Sequence, residues 1–293
     1  MPKELLAAYQ NGNYMVKLYS DGTKIKQSIE NSFISAFPDS IDLKITNYCD
    51  QNCPMCHEKS NENGKHADLD VPFLKTLKKG TELAIGGGNP LSHPDLVPFL
   101  KQMKEQGIIC NLTVNEKHLS AQKDLVLTLI REKLIYGLGI SVRAYNAEAV
   151  AFAQGYPNAV LHIINGIFTD YDKIANKGVK ILILGYKKFG RGEGFFSSEI
   201  QNQMNITKEI LPSIIKGFKC VSFDNLALEQ LGVKGIISSK EYNEMFMGAD
   251  GEGTMYIDLV KAEFARSSTS KERFALQAEI KPMFEKIQLR ETV

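Results

Sequence analysis

Three cysteines lie close together near the start of the chain, Cys49, Cys53 and Cys56, spaced C-x3-C-x2-C within Cys49-Asp50-Gln51-Asn52-Cys53-Pro54-Met55-Cys56. Three thiolates on one short loop can ligate three irons of a cubane iron–sulfur cluster. The fourth iron is then open to an outside chelator, an arrangement suited to redox catalysis more than to passive electron storage. Other chemistries are open to the same residues. Zinc would take a fourth Cys or His, and His57 and His66 are near, but structural zinc ordinarily uses paired C-x2-C knuckles and no second pair occurs. A thioredoxin-like reading uses Cys53-Pro54-Met55-Cys56 and leaves Cys49 without a purpose. Five cysteines among 293 residues are too few, and an odd number, for a disulfide framework; they point to a reducing, cytoplasmic setting. Cys110 and Cys220 read as small buried residues.

The elements around this loop follow from hydrophobic periodicity. Tyr14 to Ile29 reads as a β-hairpin turning at Asp21-Gly22. From Ile41 short apolar runs alternate with amphipathic stretches, the pattern of βα units and a parallel sheet. Strands are expected at Ile41 to Thr46, Glu82 to Ile85, Ile108 to Val114, Tyr136 to Val142, Ala159 to Ile164 and Val179 to Leu184. Helices are expected around Val71 to Leu77, Leu96 to Met103, Leu125 to Ile130 and Ala147 to Phe152. Right-handed crossovers wind such units into an open curved barrel or a doubly wound sheet, and both place ligands at the carboxyl ends of the strands. The cysteine loop directly follows the first of them.

From roughly Gly194 the alternation stops. Ser197 to Lys216 reads as a helix interrupted at Pro212, Lys219 to Phe223 as a strand, and Leu226 to Leu231 as a short helix. Met255 to Val260 and Ala262 to Ala265 read as a hairpin, and the tail from Ser270 as a helix with Phe274, Leu276, Ile280, Met283 and Phe284 on one face. The chain thus divides at 1–40, 41–192 and 193–293. With 35 basic and 34 acidic residues, its net charge of +1 gives no general attraction for nucleic acid or an anionic membrane. No stretch approaches the roughly 20 apolar residues of a membrane span, and the N-terminus lacks the apolar run of a signal peptide.

The cysteine loop after the first of six βα units resembles that of the radical S-adenosylmethionine superfamily. A second match stands at the next strand's end, where Gly86-Gly87-Gly88-Asn89-Pro90 is similar to that family's glycine-glycine-glutamate-proline segment. The resemblance covers about Ile41 to Gly192. It implies an α/β fold, a partial (βα)6 TIM-like barrel, here with an N-terminal β-hairpin and a small α+β C-terminal extension. It also implies one [4Fe-4S] cluster on Cys49, Cys53 and Cys56. S-adenosylmethionine would chelate the open iron and be cleaved reductively to a 5′-deoxyadenosyl radical that abstracts a hydrogen atom. A reduced flavodoxin or ferredoxin would donate the electron. Carried over by position, the cofactor residues are Met55, Gly87, Gly88, Asn89, Pro90, Asn115, Ser141 and Tyr186. Gly87 and Gly88, lacking Cβ atoms, would let backbone carbonyls approach the methionine ammonium.

Some positions depart from the family pattern. Met55 replaces an aromatic residue, Asn89 replaces the glutamate while keeping an amide oxygen that can accept a hydrogen bond, and Arg143 stands where an acidic residue often follows the fourth-strand serine. The C-terminal part faintly resembles the appended domain of peptide- and protein-modifying members, through Phe223-Asp224-Asn225-Leu226-Ala227 and Gly248-Ala249-Asp250-Gly251. Ala265, Ser267 and Ser268 occupy the stretch where auxiliary-cluster cysteines would stand, so a single cluster is expected. The substrate is expected to be a peptide or protein side chain. A catalytically idle scaffold of the same fold and a zinc-stabilised interaction domain are the competing readings. His93, His118, His162, Glu193, Asp224 and Asp258 could serve as acids or bases, and Tyr145, Tyr186 and Cys220 as hydrogen donors. None has a spacing that assigns a role; His93 is expected to cap a helix and His162 to be a packed or hydrogen-bonded core residue.

Overall fold

A computed structural model describes residues 3–30 and 32–288, so the extreme ends of the first and last segments lie outside it. The N-terminal unit has three strands where a hairpin is expected: β1 (Leu5–Asn11), β2 (Tyr14–Tyr19) and β3 (Lys24–Ser28), antiparallel in that order. The added strand, Leu-Leu-Ala-Ala-Tyr-Gln-Asn, has its residues largely exposed or half-buried, and without clean alternation it gives little strand signal.

The main sheet begins with β4 (Ser40–Thr46) and β5 (Glu82–Gly87). Between them the expected helix at Val71 to Leu77 is a single 3-10 turn over Pro72–Thr76. Its amides bond three residues back, Leu74 to the Val71 carbonyl and Leu77 to the Leu74 carbonyl, the 3-10 pattern common in short connecting turns. Then come α1 (Leu96–Glu105), β6 (Ile109–Asn115), α2 (Glu116–Ala121), α3 (Lys123–Arg131), β7 (Gly137–Ser141), α4 (Ala147–Gly155), β8 (Ala159–Ile164), α5 (Tyr171–Ile174) and β9 (Lys180–Leu184). The βα alternation runs one unit further than expected. Following α6 (Arg191–Phe195), α7 (Ser198–Gly217) continues through Pro212 and leads to β10 (Cys220–Phe223), which pairs parallel with β9.

After α8 (Asn225–Leu231) and α9 (Ser239–Met245), β11 (Thr254–Asp258) returns to pair parallel with β4, and β12 (Glu263–Ala265) and β13 (Phe274–Ala275) add antiparallel. The tail is helical only in α10 (Ile280–Gln288). Phe274, expected on that helix, lies instead in β13 with its ring 5.4 Å from that of Phe264. The sheet order is β10-β9-β8-β7-β6-β5-β4-β11-β12-β13. The fold is thus α/β with a parallel central sheet wound in one direction, as a partial barrel requires.

Each core strand has two unlike faces. Ile41, Leu43, Ile45, Leu83, Ile85, Leu112, Val114, Leu138, Ile140, Leu161, Ile163, Ile181 and Ile183 are buried in one continuous apolar core. The alternate positions turn the other way, among them Asp42, Ala84, Asn111, Thr113, Gly139, His162 and Leu182. Parallel strands covered on both faces read as unbroken apolar runs; these alternate because their second face borders a hollow. That hollow, about 530 Å³, is closed at one end by Leu6, Leu18 and the Tyr19–Thr23 turn of the N-terminal sheet.

Candidate metal and cofactor site

The cysteine loop leaves β4 at Thr46 and is tied at several points. The Cys49 amide donates to the Asn61 carbonyl at 2.9 Å, the Asn61 amide to Asn47 at 3.1 Å, and the Cys56 amide to Cys53 at 3.2 Å. Asn52 takes a left-handed φ of 40°, which asparagine tolerates better than most residues. All three thiols are free and half-buried. Burial pushes the Cys49 thiol up, and the neighbouring Cys53, Asp50 and Cys56 push it further. A cationic iron centre binds the deprotonated form of a thiol and would oppose that upward push.

Arg191, at the exit of β9, locks this loop. Its Nε donates to the Cys53 carbonyl at 3.0 Å, its terminal nitrogen to the Ser60 carbonyl at 2.8 Å, and its backbone N–H to the Cys56 carbonyl at 3.1 Å. The chain crosses so closely here that a Cβ on Gly190 would lie 2.3 Å from the His57 carbonyl oxygen. Nothing in the sequence singled out Arg191. Its role depends on a contact across 138 residues and has no local signal.

The glycine segment at the end of β5 packs against the same loop. Gly88 donates to the Thr46 carbonyl at 2.8 Å and Asn89 to the Tyr48 carbonyl at 2.6 Å. A Cβ on Gly88 would lie 2.0 Å from the Tyr48 oxygen. The missing side chain therefore has a purpose besides the one expected: it admits the cysteine loop's own backbone. Asn89 is buried, and its amide oxygen accepts from the Leu91 amide at 3.2 Å, capping a short 3-10 turn that starts at Pro90. One lone pair of that oxygen is thus already used.

Three further positions carried over from the family lie at strand ends. In strand register Asn115, Ser141, His162, Leu182 and Ser222 are successive partners across β6 to β10, so Asn115 and Ser141 share one row. The Asn115 side chain caps α2 through the Lys117 amide at 3.0 Å. Tyr186 is buried with Ile200 and Met204, and Met55 and Ile164 pack onto this cluster. Met55, Ile164, Leu184, Gly185 and Tyr186 line a small cavity of about 60 Å³. Gln230, which nothing in the sequence singled out, accepts from the Tyr186 amide and donates to its carbonyl, both at 2.9 Å. The Tyr186 hydroxyl donates to Gly192.

The remaining titratable candidates divide clearly. Asp258 and Glu58 flank the buried Lys44 ammonium at 3.0 and 2.6 Å, and the Tyr256 hydroxyl donates to Glu58 at 2.9 Å. Burial alone would raise the Glu58 carboxyl, but His57 and Lys44 hold it well below the usual carboxylate range. Glu193 borders a cavity of about 300 Å³ beside this group. Asp224 caps α8 and accepts from the Gly185 amide. His93 is held between the Ala67 carbonyl and the Asp95 amide, a structural role as expected. His118 pairs with Asp50 at 2.5 Å, and its buried Nδ1 has no partner. Cys49, Asp50 and His118 offer ligand atoms within 4.8 Å of one another.

One residue differs from expectation. Cys220 is exposed on the edge strand β10, whereas Cys110 is buried. Tyr145 lies outside the sheet's hollow, under the Lys177 ammonium. His162 is not hydrogen-bonded to any described residue; its ring lines the hollow.

No family model matches the sequence, and no curated protein matches it. Solved structures do share its fold. Streptococcus suis SuiB bound to S-adenosylmethionine superposes with a TM-score of 0.57 at 13% identity, over 88% of this chain and 67% of that one. SuiB bound to the precursor peptide SuiA gives 0.54 at 15% identity, over 87% and 64%. A third SuiB structure gives 0.51 at 15%, over 86% and 64%. This chain therefore spans about two thirds of SuiB's length. At such identity the likeness defines the class of fold, an α/β chain built like SuiB. Among the described residues no helix is long and apolar enough to cross a membrane.

Proposed function

We propose that this chain is a radical S-adenosylmethionine enzyme that holds one [4Fe-4S] cluster on Cys49, Cys53 and Cys56 and abstracts a hydrogen atom from a peptide or protein side chain. The observation that carries the reading is three free, half-buried thiols within eight residues of one loop, which is clamped by Arg191 and by the Gly88-Asn89 backbone. When bound, the cluster and S-adenosylmethionine supply a reducing electron and a 5′-deoxyadenosyl radical. The chain's own part is to bind, orient and exclude water. Gly87, Gly88, Asn89 and Pro90 border the loop where the methionine end would lie, Asn115 and Ser141 the ribose, and Met55 and Tyr186 an apolar wall for adenine. SuiB's capture with a precursor peptide supports a peptide substrate. A flavodoxin or ferredoxin in a reducing cytoplasm would supply the electron. Anaerobic reconstitution should give about four irons per chain and, on reduction, 5′-deoxyadenosine. A loaded, reduced protein that makes no nucleoside would refute the reaction.

Two observations favour narrower readings. Asn89 spends its amide oxygen on a cap, as an idle scaffold could. Calorimetry with S-adenosylmethionine on the loaded protein separates that case, which gives no heat. The close group Cys49, Asp50 and His118 could instead take zinc, which elemental analysis of anaerobic and aerobic preparations decides.

A further inference from the structure

The hollow under the cofactor row is more than a gap left by an open sheet. Its volume of about 530 Å³ falls in the range of built ligand pockets, about 300–1,000 Å³. The space exists because Ala84, Gly137, Gly139 and Val160 are small at inward positions. His162 is in register with Ser141, and its ring folds down over Gly139, where a Cβ would stand 2.2 Å from its Cε1. Neither ring nitrogen has a partner among the described residues. Lys180 stands two residues before Leu182, the register partner of His162, on the same face of β9; it also lines the hollow and has no ion pair among the described residues, while Glu82 is engaged by Lys24.

We propose that this hollow receives the substrate's side chain and selects a phenol, the group of a tyrosine-like residue, with His162 and Lys180 reading its hydroxyl. The inference rests on the function proposed above and names its substrate class. A hydrocarbon would displace water from the half-buried imidazole and ammonium and give them no partner in return. A cation would face Lys180, and the two carboxylates lining the hollow, Glu82 and Asp21, are already paired with Lys24 and Lys3. A carboxylate would lose its hydration among largely apolar walls for one cationic donor. A phenol presents a flat apolar body, donates to the neutral imidazole and accepts from Lys180 through a single oxygen. His162 is a specificity residue in this account, not a proton carrier.

The test is calorimetric binding of four probes to the reconstituted full chain: 4-methylphenol, toluene, butyrate and butylamine. We expect 4-methylphenol to bind at least about tenfold tighter than the other three. That preference should vanish in His162→Phe, and all binding should vanish in Val160→Trp, which fills the hollow. Wild-type protein that prefers any other probe, or binds none, overturns the proposal even if neither variant folds. So do folded variants that bind as the wild type does. Release of 5′-deoxyadenosine by the wild type without probe tests the underlying enzyme reading independently. Its absence alongside phenol-selective binding would sink that reading and leave the pocket standing.

Discussion

Arg191 and Cys53 lie 138 residues apart, and the Arg191 Nε donates to the Cys53 carbonyl oxygen at 3.0 Å. The far end of the parallel core thereby grips the loop that follows its first strand.

Arg191→Ala should loosen that loop while sparing the sheet. Two side-chain bonds to carbonyls are lost, together on the order of 2–4 kcal/mol of local stability. Hydrogen exchange across residues 49–61 should accelerate, and iron should be released faster from reconstituted protein. Arg191→Lys keeps the charge but not the fork and should fall between. Unchanged protection in the alanine variant would mean that the clamp does nothing.

Two glycines separated by one residue give a sharp contrast. A Cβ on Gly86 meets nothing within 4 Å, whereas on Gly88 it would stand 2.0 Å from the Tyr48 carbonyl oxygen. Gly88→Ala should destabilise by about 2–4 kcal/mol by forcing backbone apart, and Gly86→Ala by less than about 1 kcal/mol. Urea melts of both variants check this; equal losses would contradict the close approach.

Lys44 is buried between Glu58 and Asp258. Lys44→Met leaves two buried carboxylates unpaired and should cost about 3–5 kcal/mol, most of it recovered when Glu58 and Asp258 are also made apolar. A single variant that melts like the wild type would show that water reaches this group.

Burial pushes the His162 imidazole down to about 4. In the unfolded chain it titrates near 6.5, so between these values the unfolded state binds the proton and the native state does not. Stability from this group is complete above about pH 6.5 and falls as the pH drops toward 4, by up to about 3 kcal/mol. His162→Phe should flatten that part of the profile in urea melts at pH 7, 5.5 and 4.5. An unchanged slope would place the titration elsewhere.

What the sequence disclosed was local. The cysteine loop stood out because its three ligands fall within eight residues. The core strands were readable because apolar residues such as Ile41, Leu43 and Ile45 alternate with others such as Asp42 and Lys44. Register was not readable, so nothing linked Asn115, Ser141 and His162 as one row. Clamps from distant segments, Arg191 and Gln230, left no trace for the same reason. The tail failed differently: Phe274 to Met283 carries helical spacing, yet its start pairs as β13 against β12. Cys220 was assigned to the interior on residue type alone, and an edge strand leaves it exposed.

The pairing of β11 with β4 has a consequence for biosynthesis. The strand that carries the iron-binding loop emerges from the ribosome well before its outer neighbour, which follows β5 to β10 in the chain. Until Tyr256 and Asp258 arrive, Glu58 and Lys44 lack their partners and β4 has an open flank. Long-range pairing of this kind is slow to form. A nascent chain stalled before residue 254 would therefore offer its thiols to metal in an unfinished cradle, so cluster insertion belongs after β11 has been made and paired.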